Sequence, residues 1–261
     1  MESILVTGGT GTLGRQVVGR LRETDRDVRV LTRRTGMQED GISFVTGDLL
    51  SRTGVDLAVD GIAKIIHCAG SSKGDDVATR NLVDAAERAG RPHIVYISVV
   101  GAERMPMHGL SDRIMFSYFD MKRQAEEIVA QSELPSSTLR ATQFFDLILM
   151  VLEKIAKLPI IPIPSGVSFQ PIDSGEVAAR LVELVLTKPS GLVPDIGGPQ
   201  VYETADLLRG YLKATGKRRI LLPLRLPGKA ARALRAGANL APDRAIGQRT
   251  WEGFLADHML G

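Results

Sequence analysis

The thirteen residues "VTGGTGTLGRQVV", Val6 to Val18, constrain this chain more than any other stretch. They hold four glycines and three threonines, and they continue an apolar run that begins near Ile4. An apolar run into glycine predicts a buried strand that stops in a tight turn. Beyond the turn, Leu13, Val17, Val18 and Leu21 recur at helical spacing. The glycines therefore stand where a strand ends and a helix opens. The first amides of a helix have no partner within it and point outward, so such a junction is a seat for a phosphate group. Gly8, Gly11 and Gly14 give the spacing GxxGxxG, a variant of the GxGxxG dinucleotide fingerprint. Gly8 is expected to permit the turn. Gly11 lets the backbone approach the phosphates, and Gly14 lets the helix pack against the strand.

The remaining first half repeats the strand–helix theme. "DVRVLTRR", "ISFVTGDLL", "KIIHCAG" and "HIVYISVVG" read as further strands, the third of them entered from the polar turn "VDGIAK". "DDVATRNLVDAAERAG" reads as a helix with Val77, Leu82, Val83 and Ala86 inward, closed by Gly90. Alternation of this kind predicts an α/β fold, a Rossmann-type doubly wound parallel sheet covered on both faces. From Gly101 to Phe116 the pattern lapses around Pro106, and a lid-like excursion is expected. "FSYFDMKRQAEEIVAQS" then reads as a long helix, "SSTLRATQF" as a strand and "DLILMVLEKIAK" as a helix. After Lys157, "LPIIPIPSGVSFQPID" is too proline-rich for a central helix. An amphipathic helix follows, capped by Asp173 or Ser174. The expected organisation is a dinucleotide-binding core over 1–157, with the excursion at 101–116. A smaller C-terminal α/β region over 158–261, interleaved with the core, lies on the substrate side.

Composition narrows the function classes. The chain has 261 residues, 44% hydrophobic and 24% charged, with a net charge of +3. That suits a globular protein with a sizeable core and excludes a strongly basic nucleic-acid binder. One cysteine, Cys68, rules out an internal disulfide framework or a cysteine-rich metal site, and no metal is expected. No signal peptide or membrane-spanning run is seen, so a cytoplasmic location and no membrane partner are expected.

The second strand ends "VLTRRT". Arg33 and Arg34 lie nineteen and twenty residues after Gly14, where an NAD-specific site places a carboxylate for the ribose hydroxyls. A guanidinium pairs with a 2′-phosphate instead, so NADP(H) is preferred, with NAD(H) the second choice. In "GDLL", Asp48 reads either as an acceptor for the adenine amino group or as a plain turn residue.

"ILVTGGTGTLG", "VRVLTRR", "GDL", "HCAG", "NLVDAAERAG" and "YISVVG" follow one another as in the short-chain dehydrogenase/reductase superfamily. The chain most resembles its extended and atypical branches, in particular the NmrA-like NAD(P)-binding group. The resemblance implies a cofactor site from Thr7, Gly8, Gly11, Thr12, Leu13, Gly14, Arg33, Arg34, Asp48, Leu49, Cys68, Ala69, Gly70 and Lys122. Thr142, Gln143 and Phe144 of "LRATQFF" are implied on the nicotinamide side, or else pack a strand terminus. The superfamily's hydride transfer implies catalytic roles for Ser98, Tyr118 and Lys122. The YxxxK spacing puts Tyr118 and Lys122 on one helical face, so the ammonium can lower the phenol's pKa while holding the nicotinamide ribose. Ser98 then holds the substrate oxygen. Asn81 reads as a packing residue. "HCAG" stands where better-known members have "NNAG" or "NAA". Cys68 reads as a small buried residue before a redox-sensitive one.

The implied activity is oxidoreduction of a medium-sized apolar carbonyl, enone or quinone, with a small molecule as the partner and a monomer or homodimer as the assembly. A non-catalytic NAD(P)(H)-binding sensor is the alternative, and an isomerase or epimerase that uses the cofactor transiently is the third reading. Met105, Met107 and Met115 would give the excursion an adaptable apolar surface, and His108 reads as a solvated residue before an auxiliary acid. "KRRILLPLRLPGKAARALRA" is basic and reads as a solvated face before a membrane-surface or acidic-partner site.

Overall fold

The computed structural model describes residues 2–70, 74–106 and 110–260, apart from the side chains of 110–116, 259 and 260. Met107 and His108, and the side chain of Met115, lie outside the described residues. The chain falls into two compact units. One comprises Met1–Ser98, Asp120–Arg140 and Gly175–Pro194; the other comprises Val99–Phe119, Ala141–Ser174 and Asp195–Gly261.

The first unit carries a seven-stranded sheet. Its strands are β1 (Ser3–Thr7), β2 (Asp27–Thr32), β3 (Ile42–Thr46), β4 (Lys64–His67), β5 (His93–Val99), β6 (Ser136–Ala141) and β9 (Gly191–Leu192), in the order β3-β2-β1-β4-β5-β6-β9. The registered pairings β1–β2, β1–β4, β2–β3, β4–β5 and β6–β9 are all parallel. From β1 the chain winds outward through β2 to β3, then returns to lay β4 on the other side of β1. That reversal is the switch point of a doubly wound sheet, and ligands bind outside the carboxyl ends of the strands there.

The helices follow from their apolar stripes. α1 (Thr12–Leu21) buries Leu13, Val17, Val18 and Leu21, as the spacing predicts. α2 (Val55–Val59) is a short turn of helix just ahead of the "VDGIAK" turn. α3 (Asp75–Arg88) buries Ala78, Thr79, Leu82, Val83 and Ala86, but Val77 is exposed, because it falls off that stripe. Gly90 ends it at φ +111°, in the left-handed region open to glycine. α4 (Leu110–Gln131) starts six residues earlier than Phe116. Pro106, which suggests an excursion reaching Phe116, lies before the helix rather than within its path. α6 (Ser174–Leu186) completes the unit.

The second unit is built on α5 (Phe145–Ile155), α7 (Thr204–Ala214) and α9 (Trp251–Leu260). Its core stacks Phe145, Trp251 and Phe254, with ring centroids 5.1–5.9 Å apart. The Trp251 indole N–H donates to the Leu207 carbonyl at 3.1 Å. β7 (Ile160–Pro164) pairs in parallel with β11 (Ile220–Leu224), and β8 (Ser168–Phe169) pairs antiparallel with β10 (Tyr202–Glu203). α8 (Lys229–Arg235) packs Ala230, Ala231 and Leu234 on Met105 and Val167. Ser174 donates to the Asp146 carboxylate at 2.9 Å, and Arg249 donates to Asp173 at 2.6 Å.

Candidate functional site

A cavity of about 260 Å³ opens in the first unit and is lined from the ends of β1, β2 and β4. Thr7, Gly8, Gly11, Arg33, Asp48, Leu49, Cys68, Ala69 and Gly70 all line it, as do Thr10, Thr32, Asp75 and Ala78. The glycine turn has little slack. A Cβ on Gly14 would lie 2.1 Å from the Gly8 carbonyl oxygen, and one on Gly8, at φ +69°, would lie 2.6 Å from the Ala69 nitrogen. Gly14 thus packs the helix onto the turn itself, and Gly8 lets the turn touch the end of β4. Thr12 and Leu13 form the first turn of α1. That turn has no acidic residue, and its cap, Gly11, makes no side-chain hydrogen bond. Its amides remain available to an anion.

The side walls are pinned by buried polar contacts. The Thr7 hydroxyl meets His67 Nδ1 at 2.6 Å, and His67 Nε2 meets the Thr79 hydroxyl at 3.1 Å. Burial holds the His67 pKa down to about 4; Asp75 opposes that shift and Lys122 adds to it. Burial likewise pushes the Cys68 thiol up to about 12, against the pull of Lys122. Cys68 therefore lines the cavity as a neutral thiol, not a thiolate. Asp48 Oδ1 accepts from the Leu50 amide at 3.1 Å, so this carboxylate holds its own turn while it lines the cavity. Asn81 is a packing residue, its amide donating to the carbonyls of Leu49 and Leu50 at 2.7 and 3.3 Å.

The "TRR" arginines point to different places. Arg33 lines the main cavity, and Arg34 lines a neighbouring one of about 310 Å³ with Thr10 and Arg15. Neither Arg33 nor Arg34 donates a side-chain hydrogen bond or forms an ion pair with another described residue. Arg15 Nε donates to the Thr10 carbonyl at 2.9 Å, which holds its guanidinium beside the glycine loop.

Lys122 is buried within a network that spacing alone does not reveal. Its ammonium lies 3.1 Å from Asp75 Oδ2, donates to the Tyr96 hydroxyl at 3.2 Å, and donates to the Ile97 carbonyl at 3.1 Å. Tyr96 in turn donates to Asp75 Oδ2 at 3.2 Å, and burial raises its phenol pKa. Ile97 is followed on β5 by Ser98, whose buried Oγ has no partner among the described residues. Asp75 Oδ1 is also buried without a partner among the described residues, and it lies 3.7 Å from where a Cβ on Gly70 would stand. Tyr118 precedes Lys122 by one turn of α4, in the second unit, with 40% of its surface exposed and its ring edge-on to Phe119 at 5.8 Å.

Thr142, Gln143 and Phe144 also belong to the second unit. Thr142 Oγ1 accepts from the Gly198 amide at 3.4 Å, and Gln143 donates to the Asn239 carbonyl at 3.3 Å while its buried Oε1 has no partner among the described residues. Phe144 bridges to Ile172, and its neighbour Phe145 enters the core. No group of three or more metal-ligating side chains occurs among the described residues.

Residues 8–147 match the NAD(P)H-binding family. The chain belongs to that family. The resemblance to the atypical short-chain dehydrogenase/reductases and their NmrA-like group agrees with this assignment. Among its curated relatives is the photosystem II assembly factor Ycf39 of Trieres chinensis, 25% identical over 224 residues, 79% of this chain and 67% of that protein. A ceramide reductase of Caulobacter vibrioides is 28% identical over 245 residues, 86% of this chain and 74% of that protein. In two further relatives, of Synechocystis and Arabidopsis thaliana, the match spans only 44% and 54% of their own length. The fold is that of an NADPH-dependent quinone oxidoreductase of Escherichia coli solved with NADPH, at TM-score 0.80 and 19% identity, over 99% of this chain and 100% of that one.

The chain's own residues fit the nicotinamide cofactor that this family takes. The α1 amides are open to a pyrophosphate, and Asp75 Oδ1 and Ser98 Oγ are buried polar atoms without partners among the described residues. Asp75, Tyr96 and Arg15 were not anticipated from the sequence. For Asp75 the available signal was an acid in the first turn of the helix that follows β4 at the switch point.

Proposed function

We propose that the protein is an NADP(H)-dependent oxidoreductase that transfers hydride to or from a medium-sized apolar carbonyl, enone or quinone. The observation that carries this reading is the buried Lys122–Asp75–Tyr96 network, with Ser98 Oγ on the Tyr96 strand unpartnered among the described residues, in the unit that also holds the glycine turn. The nicotinamide of the bound cofactor would supply or accept the hydride. The first amides of α1, with Gly8 and Gly11 clearing the approach, would bind the pyrophosphate. Arg33, Arg34 and Arg15 would receive a 2′-phosphate, which is the basis for preferring NADP(H); no acid follows β2 directly, and Glu39, which lines the Arg34 cavity, is paired with Arg22. Asp48 would accept from the adenine amino group with the oxygen that its turn leaves free. Lys122 and Asp75 Oδ1 would hold ribose hydroxyls, one as donor and the other as acceptor. Ser98 would donate to the substrate oxygen, and Tyr118 would pass the proton to or from that oxygen. Thr142, Gln143 and Phe144, and the substrate-side role of residues 158–261, belong to the same proposal. The names of relatives such as the ceramide reductase support it.

A second reading has its own observation. Lys122 is already paired with Asp75, so much of its positive charge is answered before any phenol is acidified. That favours an NAD(P)(H)-binding sensor, and Ycf39, named an assembly factor, lends it support. NADPH oxidation by a panel of quinones, enones and aldehydes separates the two. The oxidoreductase predicts turnover with at least one class, lost in Tyr118→Phe while NADPH still binds. Tight binding of both redox states with no turnover on any class would reject it in favour of the sensor.

A further inference from the structure

The two-stranded sheet of the second unit shows an unusual outer face. In the β7–β11 register Ile160 pairs with Ile220, Pro162 with Leu222 and Pro164 with Leu224. The alternate residues Ile161 and Ile163 are buried, and Leu221 packs on the core of Phe145 and Trp251. The opposite face is therefore the row Ile160, Pro162, Pro164, Ile220, Leu222 and Leu224. Ile160 is 50% exposed, Ile220 66% and Leu222 48%. Short exposed strands ordinarily carry charges on such a face; here every position is aliphatic or proline.

In the stretches of chain that carry the two strands, charge is of one sign only. Between Asp206 and Asp243 there are nine lysines and arginines and no acid, and between Glu153 and Asp173 two lysines and no acid. Lys157, Lys217 and Arg218 stand at the entrances of the two strands, and Arg225 follows the exit of β11; all four are exposed. None of the four is in an ion pair with another described residue. Arg219 ties the two entrances together by donating to the Ala156 carbonyl at 3.0 Å.

We propose that this face docks the protein on an anionic lipid bilayer, with the aliphatic row entering the headgroup boundary and the basic ends meeting lipid phosphates. Charge decides the occupant. Two copies meeting face to face would bring cationic ends together, with no acid in either segment to answer them. A specific protein partner would call for aromatic or hydrogen-bonding anchors, and the row has none. The contact is peripheral: no helix among the described residues is long and apolar enough to cross a membrane. It departs from the expectation of a merely solvated basic segment, and it is independent of the oxidoreductase reading.

The test is flotation of the full chain with vesicles of phosphatidylcholine, alone or with about one third phosphatidylglycerol, at low and high salt. At least tenfold more protein should float with the anionic vesicles, and high salt should reduce it. The uncharged double variant Ile220→Ser/Leu222→Ser should lower binding about tenfold, and Lys217→Glu/Arg218→Glu at least as much. Circular dichroism melts confirm that each variant is folded. Equal binding to neutral vesicles, no binding to either kind, or full binding by the folded serine variant would overturn the proposal. So would a concentration-dependent dimer in sedimentation that the serine variant abolishes, since the face would then pair two copies.

Discussion

At the carboxyl ends of β1, β4 and β5 the apolar side chains turn inward, and single polar atoms, Asp75 Oδ1 and Ser98 Oγ, stand buried without partners among the described residues. On the outer face of β7 and β11 the arrangement is reversed, and Ile160, Ile220, Leu222 and Leu224 stand outside. Each arrangement costs free energy that the fold alone does not offset. A buried polar atom without a partner loses its hydration, and an exposed aliphatic row keeps water ordered against it. The difference teaches what each region is built to meet: a small polar ligand in the first, an extended apolar surface in the second.

The largest expected effect strikes the first region. Gly14→Val should abolish NADPH binding and destabilise the fold by about 3 kcal/mol or more, because its Cβ has backbone where it must go. Gly19→Ala, on the same helix with nothing within 4 Å, should instead stabilise by about 0.5–1 kcal/mol. Urea melts of both compare a forced glycine with a free one, and equal effects would break the account of the turn.

Acid comes next. His67 titrates near 4 in the folded chain and near 6.5 unfolded, so the unfolded chain takes the proton first as pH falls. Its contribution is complete above pH 6.5 and drains away towards pH 4, on the order of 3 kcal/mol in all. His67→Asn should be less stable at neutral pH yet show a shallower loss between pH 6.5 and 5. Parallel pH curves for the two proteins would count against a neutral buried His67.

Arg33→Glu should weaken NADPH binding by about 30- to 100-fold while leaving NADH within a few-fold, as removal of a charge-assisted phosphate contact demands. Equal losses for both cofactors in fluorescence titration would mean that Arg33 does not read the 2′-phosphate. The smallest effect belongs to the second region. Leu222→Ser should change stability by no more than about 0.5 kcal/mol, since the side chain is already half in water. A cost of several kcal/mol would mean that the outer row packs against something within this chain.

The β1–α1 junction was legible in the sequence because its constraints are local: the turn, the close approach and the helix stripe all fall within a few residues of Gly8. The end of β2 was legible for the same reason. The Lys122 network was not. Asp75, Tyr96 and Lys122 come from three elements, and each looks ordinary alone: an acid at a helix start, an apolar strand residue, a lysine on a long helix. Only the parallel order of β1, β4 and β5 brings them together. Val77 was misplaced inward because a single valine says little about which stripe of α3 is buried. "IIPIP" and "ILLPL" are separated by more than fifty residues, and no local pattern predicts that they pair or which side faces out.

A crystal structure of the full chain with NADPH tests the central claim most directly. The account predicts the pyrophosphate on the first amides of α1, the 2′-phosphate against Arg33 and its neighbours, and the nicotinamide ribose within hydrogen-bond reach of Lys122 and Asp75 Oδ1. A dinucleotide bound with its nicotinamide away from Lys122, or with the 2′-phosphate free in solvent, would contradict it.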